Sequence, residues 1–258
     1  MFETNVSDIE GMYTGEMTLV AHDVDCANKW KLSSVFSNTQ EVANYDCYSY
    51  NCDWITLRDR YDACFVLTRM KVKMYFYPGS SETVRVSTWP GVKPRMIWPR
   101  YFKLETEDKR LIGEATSQWV LLNRTARTMM KPSEFDIPMP DTGHIPLPFD
   151  LPRGNFDFTP DKTVERIPVY SDVDYNGHVN NARYIEWIMD LFPLEQFYQN
   201  QVAELDIKYE QEIHYGQKVL LDFQYKKEDN TFFVRGHSEE EVTFFKAAGS
   251  FQKNGERI

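Results

Sequence analysis

The sequence predicts an α+β fold made of two tandem repeats, each an antiparallel sheet wrapped around one long helix. Three observations predict it. Runs of strand-like segments with period-two alternation follow a single segment of helical spacing. That order occurs twice along the 258 residues. A proline-rich stretch separates the two occurrences.

The elements can be justified in order. Residues 13–25, YTGEMTLVAHDVD, read as a strand that ends in a turn. Residues 31–50 carry Leu32, Val35, Phe36, Val42, Ala43 and Tyr50, a spacing that fits a helix. Strands follow over 62–77, where MKVKMYFY alternates apolar and basic residues over its first half, and over 82–89, 97–106 and 111–122. Six prolines (Pro132, Pro138, Pro140, Pro146, Pro148 and Pro152) crowd together, with Pro160 following, which predicts an extended surface linker over 132–160. Then the order recurs. KTVERIPVY (162–170) reads as a strand and ARYIEWIMDLF (182–192) as a helix, with strands over 204–213, 218–227, 231–238 and 242–252. The predicted units are an N-terminal repeat at 1–131, the linker at 132–160 and a C-terminal repeat at 161–258.

The duplication is visible at residue level. His22-Asp23-Val24-Asp25 lies over Ser171-Asp172-Val173-Asp174, each between a first strand and a helix. MKVKMYFYPGSSETVRV (70–86) lies over LDIKYEQEIHYGQKVLL (205–221) without a gap, so Val84 falls on Val219. A helix followed by a meander implies one sheet wrapped around one helix. Two such units joined edge to edge would give the tandem, or double, hotdog fold.

Composition bounds the function. Hydrophobic content of 42% and charged content of 26% suit a folded chain with sizeable cores, and 15% aromatics suit strands. The net charge of -10 gives no global reason to bind nucleic acid or an anionic membrane. No apolar run approaches the ~20 residues of a membrane span, so no membrane insertion is expected. Cys26, Cys47, Cys52 and Cys64 make no CxxC pair and read as free thiols in a reducing compartment. The acidic start MFETNVSDIEGMY lacks the apolar stretch of a secretory signal, which predicts a cytoplasmic protein.

The densest run of hydrogen-bonding groups is SDVDYNGHVNNARY, residues 171–184. With the helix after it, SDVDYNGHVNNARYIEWI resembles the signature of acyl-acyl carrier protein thioesterases. LTRMKVKMYFYP, ETVRVSTWP and EATSQWVLLNRTARTMMKP resemble that family's N-terminal domain, so the likeness spans nearly the whole chain. The resemblance implies hydrolysis of fatty acyl-acyl carrier protein to free fatty acid, with no cofactor and no metal. It implies catalytic roles for Asp174, Asn176, His178 and Glu212. In several plant members a cysteine follows the glutamate; Ile213 stands there in this chain, which excludes a thiol mechanism at that position.

The repeat adds an asymmetry independent of the resemblance. Asp174 has the counterpart Asp25, but Asn176, His178 and Glu212 fall on Ala27, Lys29 and Tyr77. One site per chain, in the C-terminal repeat, follows. Glu212 or Asp174 would activate water, His178 and backbone amides from about Val179 would hold the carbonyl, and Asn176 would orient the water or a carboxylate. A covalent route through an anhydride on Asp174 or Glu212 stays open.

The resemblance also gives the N-terminal repeat the task of shaping the acyl pocket, here around Met70, Met74, Trp119 and the 31–50 helix. The implied partner is acyl carrier protein with a 4'-phosphopantetheine-linked acyl chain. It is acidic, so a basic patch is expected; Lys93, Arg95, Arg100, Arg124, Arg127 and Lys131 are the candidates. A homodimer is left open. Competing readings are a coenzyme A thioesterase of the same fold, a hotdog dehydratase and an acyl-binding regulator without catalysis.

Overall fold

A computed structural model describes residues 7–91 and 96–255. The first repeat holds β1 (Tyr13–Thr18), α1 (Leu32–Ser49), α2 (Trp54–Tyr61), β2 (Ala63–Met74), β3 (Thr83–Pro90), β4 (Trp98–Thr106) and β5 (Leu111–Asn123). The second holds β6 (Lys162–Arg166), α3 (Asn181–Met189), α4 (Leu194–Gln199), β7 (Asn200–Tyr209), β8 (Val219–Lys226), β9 (Thr231–His237) and β10 (Thr243–Lys253).

All ten strands form one antiparallel sheet in the order β1-β3-β4-β5-β2-β7-β10-β9-β8-β6. The order is palindromic: each repeat contributes the same five-strand array, and the two join through β2 and β7. Their register fits the predicted repeat alignment. Met70 pairs with Ile207, Lys71 with Asp206 and Val72 with Leu205. Exchanging the copies maps this set of pairs onto itself, so a pseudo-twofold axis passes between Lys71 and Asp206.

The helices sit against this sheet. α1 buries Val35, Phe36 and Val42 completely, at helical spacing. α3 buries Tyr184, Ile185, Trp187 and Ile188, and the two helices pack on each other. One hydrophobic cluster runs through both repeats, from Val72 and Val86 to Leu205 and Phe232. Each such side chain contributes about 1.5–3 kcal/mol of burial, and neither repeat closes this core alone.

Several predicted bounds move for stereochemical reasons. β6 stops at Arg166, two residues before Pro168. α3 ends at Met189 and α4 restarts after Pro193, so the second helix is half the length of α1. β7 runs four residues earlier than expected, which leaves Glu212 in the loop beyond it. α2 was not predicted. The linker is more than a surface strap: Phe135, Ile137, Thr142 and Ile145 are buried, and Phe135 packs edge-on against Trp98. No helix among the described residues is long and apolar enough to cross a membrane.

Candidate active site

The motif turn is built by its own aspartates. The Val169 amide donates to Asp172 Oδ2 (2.8 Å), and the Trp187 indole donates to Asp172 Oδ1 (3.2 Å). The Asp174 amide donates to the His178 carbonyl (2.9 Å), while Asp174 Oδ1 accepts from the Asn176 amide (2.8 Å). Gly177 closes the turn at φ +82°, a conformation that disfavours side chains. The first copy repeats the pattern: the Val20 amide donates to Asp23, the Asp25 amide to the Lys29 carbonyl, and the Ala27 amide to Asp25 Oδ1. A turn conserved between copies, one of which lacks the histidine, is architecture. Asp174 is thus engaged in holding its loop.

The turn delivers His178 to the loop after β7. The Val179 amide donates to the Ile213 carbonyl (2.8 Å), and His178 and His214 form an isolated antiparallel bridge. This sets His178 Nε2 3.3 Å from Glu212 Oε2. The side chains are 27% and 34% exposed, open enough to meet a substrate. Asn176 is exposed, and among the described residues its side-chain amide has no partner.

The Val179 assignment is corrected. Its amide is spent on Ile213 and it is buried, so it cannot bind an oxyanion. The helix opens later, with Asn180 as its cap: Asn180 Oδ1 accepts from the Ala182 amide (2.9 Å). Among the described residues the Asn181 amide meets no acceptor, and its side chain donates to Gln40 of α1 (3.2 Å).

Besides Gln40, the N-terminal repeat reaches into this site at two more places that the sequence did not reveal. Arg127, on the turn after β5, ion-pairs with Glu212 Oε2 at 2.7 Å. Trp54, at the start of α2, lies 6.0 Å from the ring of Tyr175. Arg127 therefore belongs to the site as well as to the surface. Arg100 leaves the docking set: it is 7% exposed, and its guanidinium donates to Asp46 (2.6 Å) and to the Tyr50 hydroxyl (2.7 Å). Arg124 and Lys131 are exposed. Lys93 and Arg95 lie outside the described residues.

Met70 and Met74 are sealed in the core at 0% and 1% exposure; of the three pocket candidates only Trp119 keeps partial exposure. A cavity of about 660 Å³ lies instead at the first copy's equivalent of the active site, against Lys29, Trp30, Tyr77 and Phe197. The two groups that stand where His178 and Glu212 do in the second copy are engaged in other bonds. The Lys29 ammonium spends all three donors on the Phe197 and Asn200 carbonyls and Asn254 Oδ1. Tyr77 donates to the Val202 carbonyl, and burial pushes its phenol well above the usual range.

Comparison with known proteins agrees with the geometry. The model for the acyl-ACP thioesterase N-terminal domain matches residues 10–135, and that for the C-terminal domain matches 159–253. An oleoyl-acyl carrier protein thioesterase of Coriandrum sativum chloroplasts is 28% identical over 173 residues, 60% of this chain and 45% of that protein. A palmitoyl-acyl carrier protein thioesterase of Gossypium hirsutum is 30% identical over 165 residues, 57% of this chain and 38% of that protein. The chain thus spans less than half the length of these curated relatives. The structure of an acyl-ACP thioesterase from Bacteroides thetaiotaomicron superposes with a TM-score of 0.82 at 25% identity, covering 94% of this chain and 98% of that one. The fold is also that of a 12:0-ACP thioesterase from Umbellularia californica, with a TM-score of 0.77 at 18% identity over 96% of this chain and all of that one. With both domain models matched in order over most of its length, the chain belongs to the acyl-ACP thioesterase family.

Proposed function

We propose that this chain hydrolyses fatty acyl-acyl carrier protein to free fatty acid and carrier protein, with one active site per chain. The observation that carries it is the 3.3 Å approach of His178 Nε2 to Glu212 Oε2, in the copy that keeps the motif, beside a first copy whose equivalents are the silent Lys29 and Tyr77. Glu212 is the general base, because the Asp174 carboxylate is engaged in its turn. A water binds the other carboxylate oxygen of Glu212 while Arg127 holds Oε2 and keeps the carboxylate aligned. Glu212 removes a proton from that water as the oxygen adds to the thioester carbonyl carbon. His178 and the unspent amide at the opening of α3 hold the developing oxyanion. Collapse expels the phosphopantetheine thiolate, which takes up the proton. Asn176 orients the water through its free amide.

The partner is acyl carrier protein, whose acidic surface meets Arg124 and Lys131; Trp119 belongs to the wall of the acyl tunnel. The test compares hydrolysis of one acyl group carried by acyl carrier protein and by coenzyme A. A higher kcat/KM on the carrier protein is expected. Equal or higher kcat/KM on coenzyme A would reassign the substrate class.

A further inference from the structure

Beside the His178–Glu212 pair stands a group that the proposed hydrolysis does not use. His214 is exposed, two residues past Glu212, and bridged through its backbone to His178. The two imidazole rings meet edge to face, with centroids 4.9 Å apart and planes at 73°. One donor atom from each of His178, Glu212 and His214 lies within 4.8 Å of the others, and among the described residues no other three groups converge this way.

We propose that His178, Glu212 and His214 form a binding site for a borderline divalent cation of the zinc class, whose occupancy closes the active site reversibly. The inhibitory half rests on the hydrolase reading above; the binding half does not. Two imidazoles and one carboxylate suit zinc, whereas magnesium and calcium prefer all-oxygen shells. Two ligands held at about 2.0 Å around a tetrahedral ion stand roughly 3.3 Å apart. His178 Nε2 and Glu212 Oε2 already have that separation, 3.3 Å. The third donor, on His214, lies within 4.8 Å of the other two, and its ring swings inward to the tetrahedral spacing. Its exposure allows this, while its backbone stays anchored by the bond from its amide to Gln217 Oε1 (3.0 Å). Water fills the fourth position.

The ion takes the Glu212 oxygen that Arg127 holds, so the cation and Arg127 exclude one another. It also occupies both groups assigned to the chemistry, which is why binding inhibits. The first copy offers Lys29, Tyr77 and Gly79 at these positions, so a single ion per chain is expected.

The experiment titrates zinc alone into the metal-free full chain and into His214→Ala, by calorimetry, and follows a small thioester in parallel. Cobalt(II) absorption reads out the coordination. Wild type should bind one zinc, and His214→Ala should bind it at least about tenfold more weakly. The metal-free variant should hydrolyse as fast as wild type and resist zinc. No saturable uptake by wild type, equal affinity in the variant, or equal inhibition of both overturns the proposal. Zinc uptake through His214 in a chain that hydrolyses no thioester would leave the site standing and remove the hydrolase reading.

Discussion

At the scale of the residue, the two copies separate architecture from chemistry. Asp25 and Asp174 do the same work in turns of the same shape, so an aspartate there marks the loop. His178 and Glu212 have no working counterpart. Arg127 is where sequence reasoning was incomplete: its charge was legible, but the turn that carries it to Glu212 was not. Arg127→Ala should slow a small thioester and the carrier-bound substrate alike, by roughly tenfold, equivalent to about 1.4 kcal/mol. Stability should change by no more than ~1 kcal/mol, since the pair is exposed. Lys131→Glu should instead raise KM for the carrier-bound substrate only. If Arg127→Ala behaves like Lys131→Glu, Arg127 is a docking residue after all.

At the scale of the element, legibility followed the strength of the local pattern. The alternating strands and the apolar face of α1 emerged within a few residues. α2 was invisible because WITLRDRY is half polar and buries only Leu57. What makes it a helix is its cap. Asp53 accepts from the Ile55 and Thr56 amides (3.0 and 3.1 Å), a signal present in the sequence as Asp-x-x-Thr. The site was half legible. Its motif residues could be read, but the walls supplied by Trp54, Gln40 and Arg127 depend on long-range pairing across two copies. Asp53→Ala should destabilise the protein by about 1 kcal/mol in denaturant titration at neutral pH. Burial pushes the Asp53 carboxyl up, yet the Thr56 hydroxyl and the cap amides outweigh it and hold it below the usual range. A carboxylate lowered on folding stabilises above its unfolded pKa and loses that effect as pH falls through the folded one. The cost of the substitution should therefore hold down to about pH 4 and shrink below it. A cost unchanged by pH would show that the charged cap contributes nothing.

At the scale of the whole molecule, the two repeats are bound into one unit near their pseudo-twofold axis. Arg69 donates to both Asp206 oxygens (2.9 and 2.6 Å) and to the Pro152 carbonyl (2.7 Å), so both repeats and the linker meet at one buried cation. Asp206→Ala strands that charge and should cost about 3–5 kcal/mol. Chemical unfolding followed by fluorescence and circular dichroism should show a single transition, because the core is continuous. Two separated transitions would mean that the repeats fold independently. The most direct measurement is release of free acid and thiol from acyl carrier proteins of graded chain length, by wild type, His178→Ala, Glu212→Gln and Tyr77→Phe. Wild type and Tyr77→Phe should release acid and thiol in equal amounts, and His178→Ala and Glu212→Gln should lose about two orders of magnitude or more. Undiminished hydrolysis by the folded His178 and Glu212 variants, or none by wild type at any chain length, would contradict the account.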